Sequence, residues 1–224
     1  MNSNTQSSLV EFFQNYNVIQ FVSKEIIYRP DESIDRVAFI KKGIVRVYNH
    51  TESGKEITYS GFKPVFYLSL YYSTRKISNQ YFFQALTDVE IWQAPLEDFH
   101  KYLLNQPQLS LDLIDSCLGS FTKVLESWEN SISGDAYIRV AKLLLMLAKD
   151  YCTRTDNRVI IDFHTTHQLI SSMLGISRET ASIQIKRLEN EGWLTQSEST
   201  ITVVDYPSLF ATFSQLTTPH HFST

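Results

Sequence analysis

The stretch LGISRETASIQIKRLENEGWL, residues 174–194, decides the fold of the C-terminal part of the chain. Its apolar residues Ala181, Ile185 and Leu188 recur at helical spacing, so one face of a helix is committed to a core. Two interpretations of the opposite, polar face are open: a helix that reads DNA bases, or an ordinary amphipathic helix at a domain surface. The neighbouring elements and the chemistry of the outer face bear on this choice.

A second short helix precedes this one. The sequence predicts helices from Thr166 to Leu174 and from Ser177 to about Glu191, joined only by Gly175 and Ile176. Thr and Ser are good N-caps, and a Gly-containing turn between two short helices is typical of a helix-turn-helix. The residues GWLTQSESTITVVD then predict two short strands around a polar tip from Gln196 to Ser199. Together these elements predict a winged helix-turn-helix.

The outer face of the second helix carries groups that suit a DNA groove. At about 100° per residue, that face holds Glu179, Ser182, Ile183, Lys186, Arg187 and Asn190, with Arg178 at its edge. Arg can donate two hydrogen bonds to guanine, Glu can accept one from cytosine, and an apolar side chain can touch the methyl group of thymine. Lys186 and Arg187 lie one to two turns further along, where phosphates would be met.

In the alternative interpretation Glu179 complements the helix dipole and Lys186 pairs with Glu189. The helix alone leaves both interpretations open, and the two-helix context favours DNA.

Composition limits the class of protein. The formal net charge is −4, and the residues from Asp135 onward carry 8 Lys and Arg against 9 Asp and Glu, so any DNA binding must rest on local geometry. No apolar run is long enough to span a membrane, and the first residues lack the order of a secretory signal, so we expect a cytoplasmic protein without a membrane partner. The two cysteines, Cys117 and Cys152, are too few for a disulfide framework, and their apolar contexts predict buried, inert thiols.

The N-terminal part predicts a small β domain. Short segments rich in Val, Ile, Tyr and Phe follow one another from Lys24 to about Ala94, separated by turn signals such as Lys42-Gly43. Such spacing favours a small barrel or jelly roll. A short helix is predicted next, in PLEDFHKYLLNQ.

From Pro107 the apolar period becomes that of one long helix. Its stripe consists of Leu109, Leu113, Cys117, Phe121, Val124 or Leu125, Trp128 and Ile132. A second copy of the same helix is the economical partner for such a stripe, which predicts a homodimer; packing on the barrel is the alternative. Gly134 is the best linker position, and the helix after it is apolar on most sides, which is typical of the centre of a small domain. We therefore expect a β-barrel domain over residues 1–106, a dimerisation helix over 107–133 and a winged helix-turn-helix domain over 134–224.

These features, in this order, resemble the bacterial Crp/Fnr family of transcription factors. The similarity lies in THQLISSMLGISRETASIQIKRLENEGWL, in the hairpin KKGIVRVY, in the long helix and in YIRVAKLLLMLAK. The resemblance implies an α+β fold: an N-terminal cyclic-nucleotide-binding-like β-barrel or jelly roll, a long dimerisation helix and a C-terminal winged helix-turn-helix. It also implies double-stranded DNA as a partner, and RNA polymerase as a further candidate partner.

The resemblance assigns roles to individual residues. It implies base contacts for Arg178 and Glu179 and, as in part of the family, for Ser182. Phosphate contacts are implied for Thr166, His167, Gln168, Ser177 and Lys186. The next base contact in the family is usually an Arg, and this chain has Ile183 there. Because Ile cannot make a bidentate contact with guanine, we expect an altered operator preference with DNA binding retained.

The region that binds the effector in the family is changed in this chain. Family members that bind cyclic AMP hold it with a Gly-Glu-Leu turn and an Arg-Ser pair, and the matching positions are Phe66, Tyr67, Asn79 and Gln80. Without those partners most affinity for cyclic AMP should be lost, which predicts a degenerate effector pocket. The aromatic residues of the region are Phe62, Phe66, Tyr67, Tyr71, Tyr72, Tyr81, Phe82 and Phe83. They favour self-filling of the pocket, with a site for an apolar or planar effector as the alternative.

The sequence supports neither a cofactor nor catalysis. An iron–sulfur sensor needs four cysteine ligands and the chain has two, while His50 and His100 are too isolated to indicate haem. Phosphate-binding loops and the common hydrolase motifs are absent from the sequence, which argues against an enzyme. The closer alternative is a dimeric interaction or small-molecule-sensing module whose winged helix no longer binds DNA. In the favoured interpretation, two recognition helices lie about one turn of DNA apart on a near-palindromic operator, and the existence of an effector stays open.

Overall fold

The computed structural model of the chain describes residues 3–63, 67–68, 70–132, 134–155, 158–198 and 200–214. These residues form two compact units. The first contains the described residues up to Thr51 and from Thr58 to Val124, and the second contains Glu52–Ile57 and the described residues from Leu125 onward. No helix within these ranges is long and apolar enough to cross a membrane.

The first unit is built from two antiparallel sheets with helices. Its elements in chain order are α1 (Ser3–Phe13), β1 (Val18–Phe21), β2 (Ile26–Tyr28), β3 (Arg36–Lys42), β4 (Val45–His50), β5 (Glu56–Phe62), β6 (Tyr67–Leu68), α2 (Leu70–Arg75), β7 (Phe82–Ala85), β8 (Val89–Pro95), α3 (Leu96–Leu104) and α4 (Pro107–Ile132). Boundaries with the second unit fall within β5 and within α4. The strands form two four-stranded sheets, in the orders β1-β8-β3-β6 and β2-β7-β4-β5. This arrangement confirms the predicted N-terminal β domain.

Strand β3 is buried on both faces. Ala38 and Ile40 belong to a core shared with β4, β7 and β8, whereas Val37 and Phe39 belong to a second core with α1, α3 and the start of α4. Successive strand residues point to opposite sides, so one apolar run serves both cores. On the helical side Phe13 of α1 stacks on Phe39 with ring centroids 4.7 Å apart.

Helix α4 carries two apolar stripes, where the sequence predicted one. Leu109 and Leu113 are only 6% and 5% exposed because they pack in the core with α1 and α3. The exposed apolar residues of the helix are Leu111, Ile114, Leu118, Phe121, Val124, Leu125 and Trp128. The predicted stripe therefore mixed two faces: Leu113 packs within its own chain, while Phe121, Val124 and Trp128 face outward.

The second unit surrounds one apolar helix. Its elements are α5 (Ala136–Asp150), β9 (Cys152–Thr155), β10 (Arg158–Ile161), α6 (His167–Leu174), α7 (Arg178–Asn190), β11 (Leu194–Ser197), β12 (Thr200–Val203) and α8 (Tyr206–Phe213). The strands form one antiparallel sheet in the order β11-β12-β10-β9. The buried residues of α5 are Val140, Ala141, Lys142, Leu143, Leu144, Leu145, Leu147 and Ala148. This unit confirms the predicted helix-turn-helix with a small sheet as its wing.

Two local predictions need correction. Both thiols were expected to be buried, but Cys117 is exposed on α4 and Cys152 is partly exposed on β9. The polar tip of the wing is shorter than predicted, because Gln196 and Ser197 pair with Ile201 and Thr200 as part of the strands.

Candidate nucleic-acid interface

Helices α6 and α7 begin at the two predicted caps. Thr166 Oγ1 accepts a hydrogen bond from the backbone N–H of Leu169 at 3.1 Å. Ser177 Oγ accepts one from the backbone N–H of Thr180 at 3.0 Å. Each bond satisfies an N–H group that the first turn of a helix leaves without a helical partner. The starts of both helices are therefore fixed by local sequence.

Gly175 makes the turn between the two helices. Its φ of 64° lies in the left-handed region, and its N–H donates to the carbonyl of Ser171. The N–H of Ile176 donates to the same carbonyl at 3.2 Å. The backbone thus closes the end of α6, as in other helices that end in a left-handed glycine, and α7 can start immediately afterwards.

Helix α5 supports the end of α6. Arg139 of α5 donates from Nη2 to the carbonyl of Leu174, one of the last carbonyls of α6, which have no helical partner. Ser171 and Ser172 are buried, and their hydroxyls donate to carbonyls within α6 at 2.8 Å each. Contacts from α5 and from its own side chains thus stabilise the helix that precedes the turn.

The two faces of α7 divide as the sequence predicts. Ala181, Ile185 and Leu188 are at most 1% exposed. The exposed residues of the outer face are Arg178, Glu179, Ile183, Lys186, Arg187 and Asn190, and Ser182 beside them is half-buried. Ile183 is 63% exposed, so one aliphatic side chain stands within an otherwise polar surface.

Glu179 is held ionised at the start of α7. Its own backbone N–H and the Ser177 hydroxyl donate to the carboxylate and hold its pKa below the ordinary value, with a smaller contribution from Arg178. A negative charge at this end is also favoured by the helix dipole. Glu179 is therefore a hydrogen-bond acceptor, which is the form that recognises the amino group of cytosine.

The two basic residues in the second half of α7 differ in what they contact. Lys186 forms a surface ion pair with Glu189 at 2.8 Å, a kind of contact that is worth little and easily exchanged. Arg187 pairs with Glu191 at 2.9 Å, and its guanidinium lies 3.9 Å from the ring centre of Tyr137 on α5. Phosphate contacts are predicted for both residues, and Lys186 can exchange its partner at less cost than Arg187, which would have to leave a ring as well as a carboxylate.

A group of side chains that the sequence did not indicate holds the end of α7. This Tyr137 cluster consists of Tyr137, Arg187, Glu191, Trp193 and Phe213. Tyr137 donates its hydroxyl to Glu191 Oε2, and Trp193 Nε1 donates to the same oxygen at 3.3 Å. Burial, followed by the hydrogen bond to Glu191, raises the pKa of Tyr137 to about 12. The rings of Tyr137 and Trp193 both meet Phe213 of α8 edge-on, so α5, α7 and α8 are joined at one point.

The wing is connected to the start of α6. His167 Nε2 lies 3.2 Å from Gln196 Oε1 on β11, and Gln168 beside it is exposed. Thr166, His167 and Gln168 thus lie at the N-terminal end of α6, and Ser177 lies at the same end of α7. Helix N-termini present backbone N–H groups and a partial positive charge, which suit a phosphate.

Asn79, one of the residues of the predicted effector pocket, is part of the fold of the first unit. It is fully buried. Its Nδ2 donates to the carbonyl of Arg29 at 2.7 Å and to the carbonyl of Tyr81, and its Oδ1 accepts from the N–H of Tyr81 at 3.0 Å. The amide is thereby occupied by backbone groups and is not directed at a ligand.

The other residues of that pocket are described in part. Gln80 is exposed, and Tyr67 is placed only through the backbone pairing of β6 with β3. Phe66 lies outside the described residues. Among the aromatic residues, Tyr72 and Phe83 are buried in the core between the sheets and Tyr81 packs against it, which favours self-filling.

Two family models match the chain. The model of the cyclic nucleotide-binding domain matches residues 18–106, and the model of the Crp-like helix-turn-helix domain matches residues 138–211. Fold and site therefore define a regulator in which a cyclic-nucleotide-binding-type domain precedes a Crp-like DNA-binding domain.

Known proteins resemble the chain over nearly its whole length. It is 25% identical over 197 residues to the global nitrogen regulator of Synechococcus elongatus, which covers 87% of this chain and 89% of that protein. It is 26% identical over 204 residues to the cAMP-activated global transcriptional regulator CRP of Salmonella typhimurium, with coverages of 89% and 95%. The solved structure of FixK2 from Bradyrhizobium japonicum has the same fold, with a TM-score of 0.74, 19% identity and coverages of 88% and 96%. The chain belongs to the Crp/Fnr family of DNA-binding transcription regulators, which are not enzymes.

Proposed function

We propose that the chain binds a near-palindromic operator as a homodimer, with α7 of each copy in the major groove of one half-site. The observation that carries the proposal is the outer face of α7, where exposed polar side chains stand on a helix whose inner face is fully packed. The major groove of DNA is wide enough for one α-helix. A tight turn, two N-caps and a wing surround α7, an arrangement that is typical of a DNA-binding helix-turn-helix and not of an ordinary surface helix. The proposal includes a cytoplasmic location and RNA polymerase as a further partner.

Base contacts are assigned to the first two turns of α7. Arg178 is exposed and can donate two hydrogen bonds to guanine, while ionised Glu179 can accept from cytosine. Ser182 and Ile183 follow on the same face and complete the proposed base-reading set.

Phosphate contacts are assigned to the helix N-termini and to one lysine. The residues are Thr166, His167, Gln168, Ser177 and Lys186. The hydroxyls of Thr166 and Ser177 cap their own helices, so their part is to fix the two helix N-termini, whose partial positive charge favours a phosphate. We assign Arg187 a positioning role within the Tyr137 cluster instead, because its guanidinium is already paired and stacked.

The exposed stripe of α4 supports the homodimer. Leu111, Ile114, Leu118, Phe121, Leu125 and Trp128 follow one another by alternating steps of three and four residues. This is the heptad spacing of a two-stranded coiled coil. Each of these side chains is between 45% and 64% exposed. A second copy presents the same spacing, so a twofold pair of α4 helices covers both stripes. The proposed division is a sensor domain over 1–106, this helix over 107–133 and the DNA-binding domain over 134–224.

We further propose that the first unit does not bind cyclic AMP. Asn79 stands where family members that bind it have part of their Arg-Ser pair, and its amide is bonded to the backbone. A phosphate anion would find no charge-assisted donor there. Titration calorimetry of the full chain with cyclic AMP tests this: we expect no binding at micromolar concentrations, and a micromolar dissociation constant would contradict it.

The DNA-binding proposal is tested with an operator obtained by selection from random duplexes. Fluorescence anisotropy should show an affinity that falls steeply with salt, because several phosphates are neutralised. Replacing Arg178 by Ala should weaken binding by at least about tenfold, the effect of losing a bidentate base contact.

The matched control is Arg75→Ala, which removes the same side chain and charge from an exposed position on α2 in the other unit. It should leave the affinity unchanged. Binding that is insensitive to salt, or equally weakened by both substitutions, would contradict the proposed interface and favour an interaction module that does not use DNA.

A further inference from the structure

We propose that Ile183 reads the C5-methyl group of a thymine in each half-site of the operator. The inference rests on the proposed function, because it assigns a base to a residue on the outer face of α7. It predicts a T·A base pair at the operator position where an arginine at residue 183 would select guanine.

Ile183 is placed as a contact residue and not as a core residue. It is 63% exposed and is the only large hydrophobic residue of α7 that is exposed. The apolar residues of the inner face, Ala181, Ile185 and Leu188, are buried and complete the packing of the helix without it. A β-branched residue has a lower helix propensity than Lys, Gln or Arg, so local stability does not favour Ile at a solvated position.

The polar neighbours of Ile183 leave its hydrocarbon uncovered. One turn before it, Glu179 is exposed at the start of the helix. One turn after it, Lys186 pairs with Glu189 and Arg187 is held against Tyr137. Both basic side chains that follow Ile183 are thus bonded to groups of their own chain. The result is a single apolar spot bordered by polar groups on the face that we assign to DNA.

The chemistry of the major groove contains one complement for such a spot. Guanine, adenine and cytosine present hydrogen-bonding groups there, whereas thymine adds a methyl group. An aliphatic side chain opposite a hydrogen-bonding edge would displace water without replacing its bonds, which costs affinity. Opposite a thymine methyl group, the same side chain buries apolar surface on both partners.

The test removes only the methyl group. After selection of the operator with the full chain, each thymine of a half-site is replaced in turn by uracil, symmetrically in both half-sites, and affinities are measured by anisotropy. Burial of one methyl-sized group corresponds to about a fourfold change in affinity. We expect one position at which uracil weakens wild-type binding by about fourfold per half-site, and about the same affinity for both bases in Ile183→Ala.

Gln184→Ala is the matched control, because it shortens the adjacent side chain on the same helix, to which no DNA contact is assigned, and leaves Ile183 in place. It should retain the full penalty for uracil at that position. Replacing the T·A pair there by 5-methylcytosine·guanine and by cytosine·guanine gives a second measurement, in which wild type should prefer the methylated base by a similar factor.

Three results would overturn the inference: a selected half-site without thymine, no thymine at which uracil weakens binding, or a penalty that is undiminished in Ile183→Ala. All three presuppose that the wild-type chain binds the selected operator, so the proposed function would survive them. Absence of sequence-selective binding by the wild type would instead contradict the proposed function itself.

Discussion

Ile183 and Asn79 both stand where resemblance to the family leads one to expect a different residue, and the structure treats them in opposite ways. Ile183 is 63% exposed on the outer face of α7, with its hydrocarbon open to a partner. Asn79 is fully buried, and three backbone groups occupy its amide. One replacement is available to a ligand, while the other has become part of the fold.

The difference shows how a binding position can change without damage to the fold. On a rigid helix whose inner face is packed, an outward substitution alters only what is recognised. In a loop, a polar side chain that loses its ligand can satisfy backbone groups instead, and the loop then depends on it. Under the proposed function, Ile183 is a case of changed recognition and Asn79 one of lost recognition.

The largest effect that we expect concerns Asn79. Replacing it by Ala leaves the carbonyls of Arg29 and Tyr81 and the N–H of Tyr81 without the amide, which should lower the free energy of unfolding by about 3 kcal/mol. Urea denaturation measures this. Gln80→Ala, at the exposed neighbouring position, should change stability by less than about 0.5 kcal/mol. Equal stability of the two variants would mean that Asn79 is not structural and would break the comparison.

A smaller effect, on specificity, is expected at Ile183. In Ile183→Arg the guanidinium can donate two hydrogen bonds to a guanine. Selection should therefore return G at the operator position where the wild type prefers T, with an affinity for G that is about tenfold or more above that for T. Since the position is solvent-facing, unfolding free energy should stay within about 0.5 kcal/mol of wild type. An unchanged operator preference would show that this outward position does not face the bases.

Arg187 is an intermediate case, because it is outward-facing but held by its own chain. Replacing it by Ala removes the contact with Tyr137 and the exposed pair with Glu191, which should lower the free energy of unfolding measured by urea denaturation. The slope of log affinity against log salt should not change. Lys186→Ala should do the reverse, lowering that slope by about 1 per half-site at unchanged stability. A lowered slope in Arg187→Ala would place this guanidinium on a phosphate instead.

The smallest expected effect is the response of the Tyr137 cluster to alkaline pH. The pKa of Tyr137 is raised in the folded chain from 10.0 to about 12, so folding favours the protonated phenol. Its stabilising contribution is complete below pH 10, where both states are protonated, and is lost as the pH rises through about 12. Because the side chain is partly exposed, the loss should be below about 1 kcal/mol. The difference in unfolding free energy between wild type and Tyr137→Phe, measured from pH 8 to 12, should shrink over that interval; a constant difference would contradict this assignment.

The parts of the site that the sequence predicts are those with local causes. Thr166 and Ser177 cap helices through bonds that span three residues, and the inner face of α7 follows from a short period. The hydrogen-bond partners of Asn79 and Tyr137 lie up to 50 and 54 residues away, and no local pattern contains that information. The sequence therefore indicates neither the backbone contacts of Asn79 nor the Tyr137 cluster.

The elements of the first unit show the same limit. Helix α1 begins in the polar run SNTQSS, which does not predict a packed helix. Its apolar residues Leu9 and Phe13 are buried because they pack in one core with Phe39 and Phe99. On α4 the apolar pattern is ambiguous for a different reason, because two stripes with the same helical period overlap along the sequence. Only the position of the neighbouring core shows that Leu113 faces inward and that Leu111 faces outward.

The turn at Gly175 has a consequence for how freely such regulators can diverge. A Cβ added there would meet no atom within 4 Å, so the left-handed backbone alone resists substitution. Asn tolerates that conformation better than other residues, and descendants of this gene could exchange Gly for Asn without changing the angle between α6 and α7. At Gly43, between β3 and β4, a Cβ would lie 2.3 Å from the carbonyl oxygen of Asp88. No residue other than Gly fits at that position without a shift of the backbone.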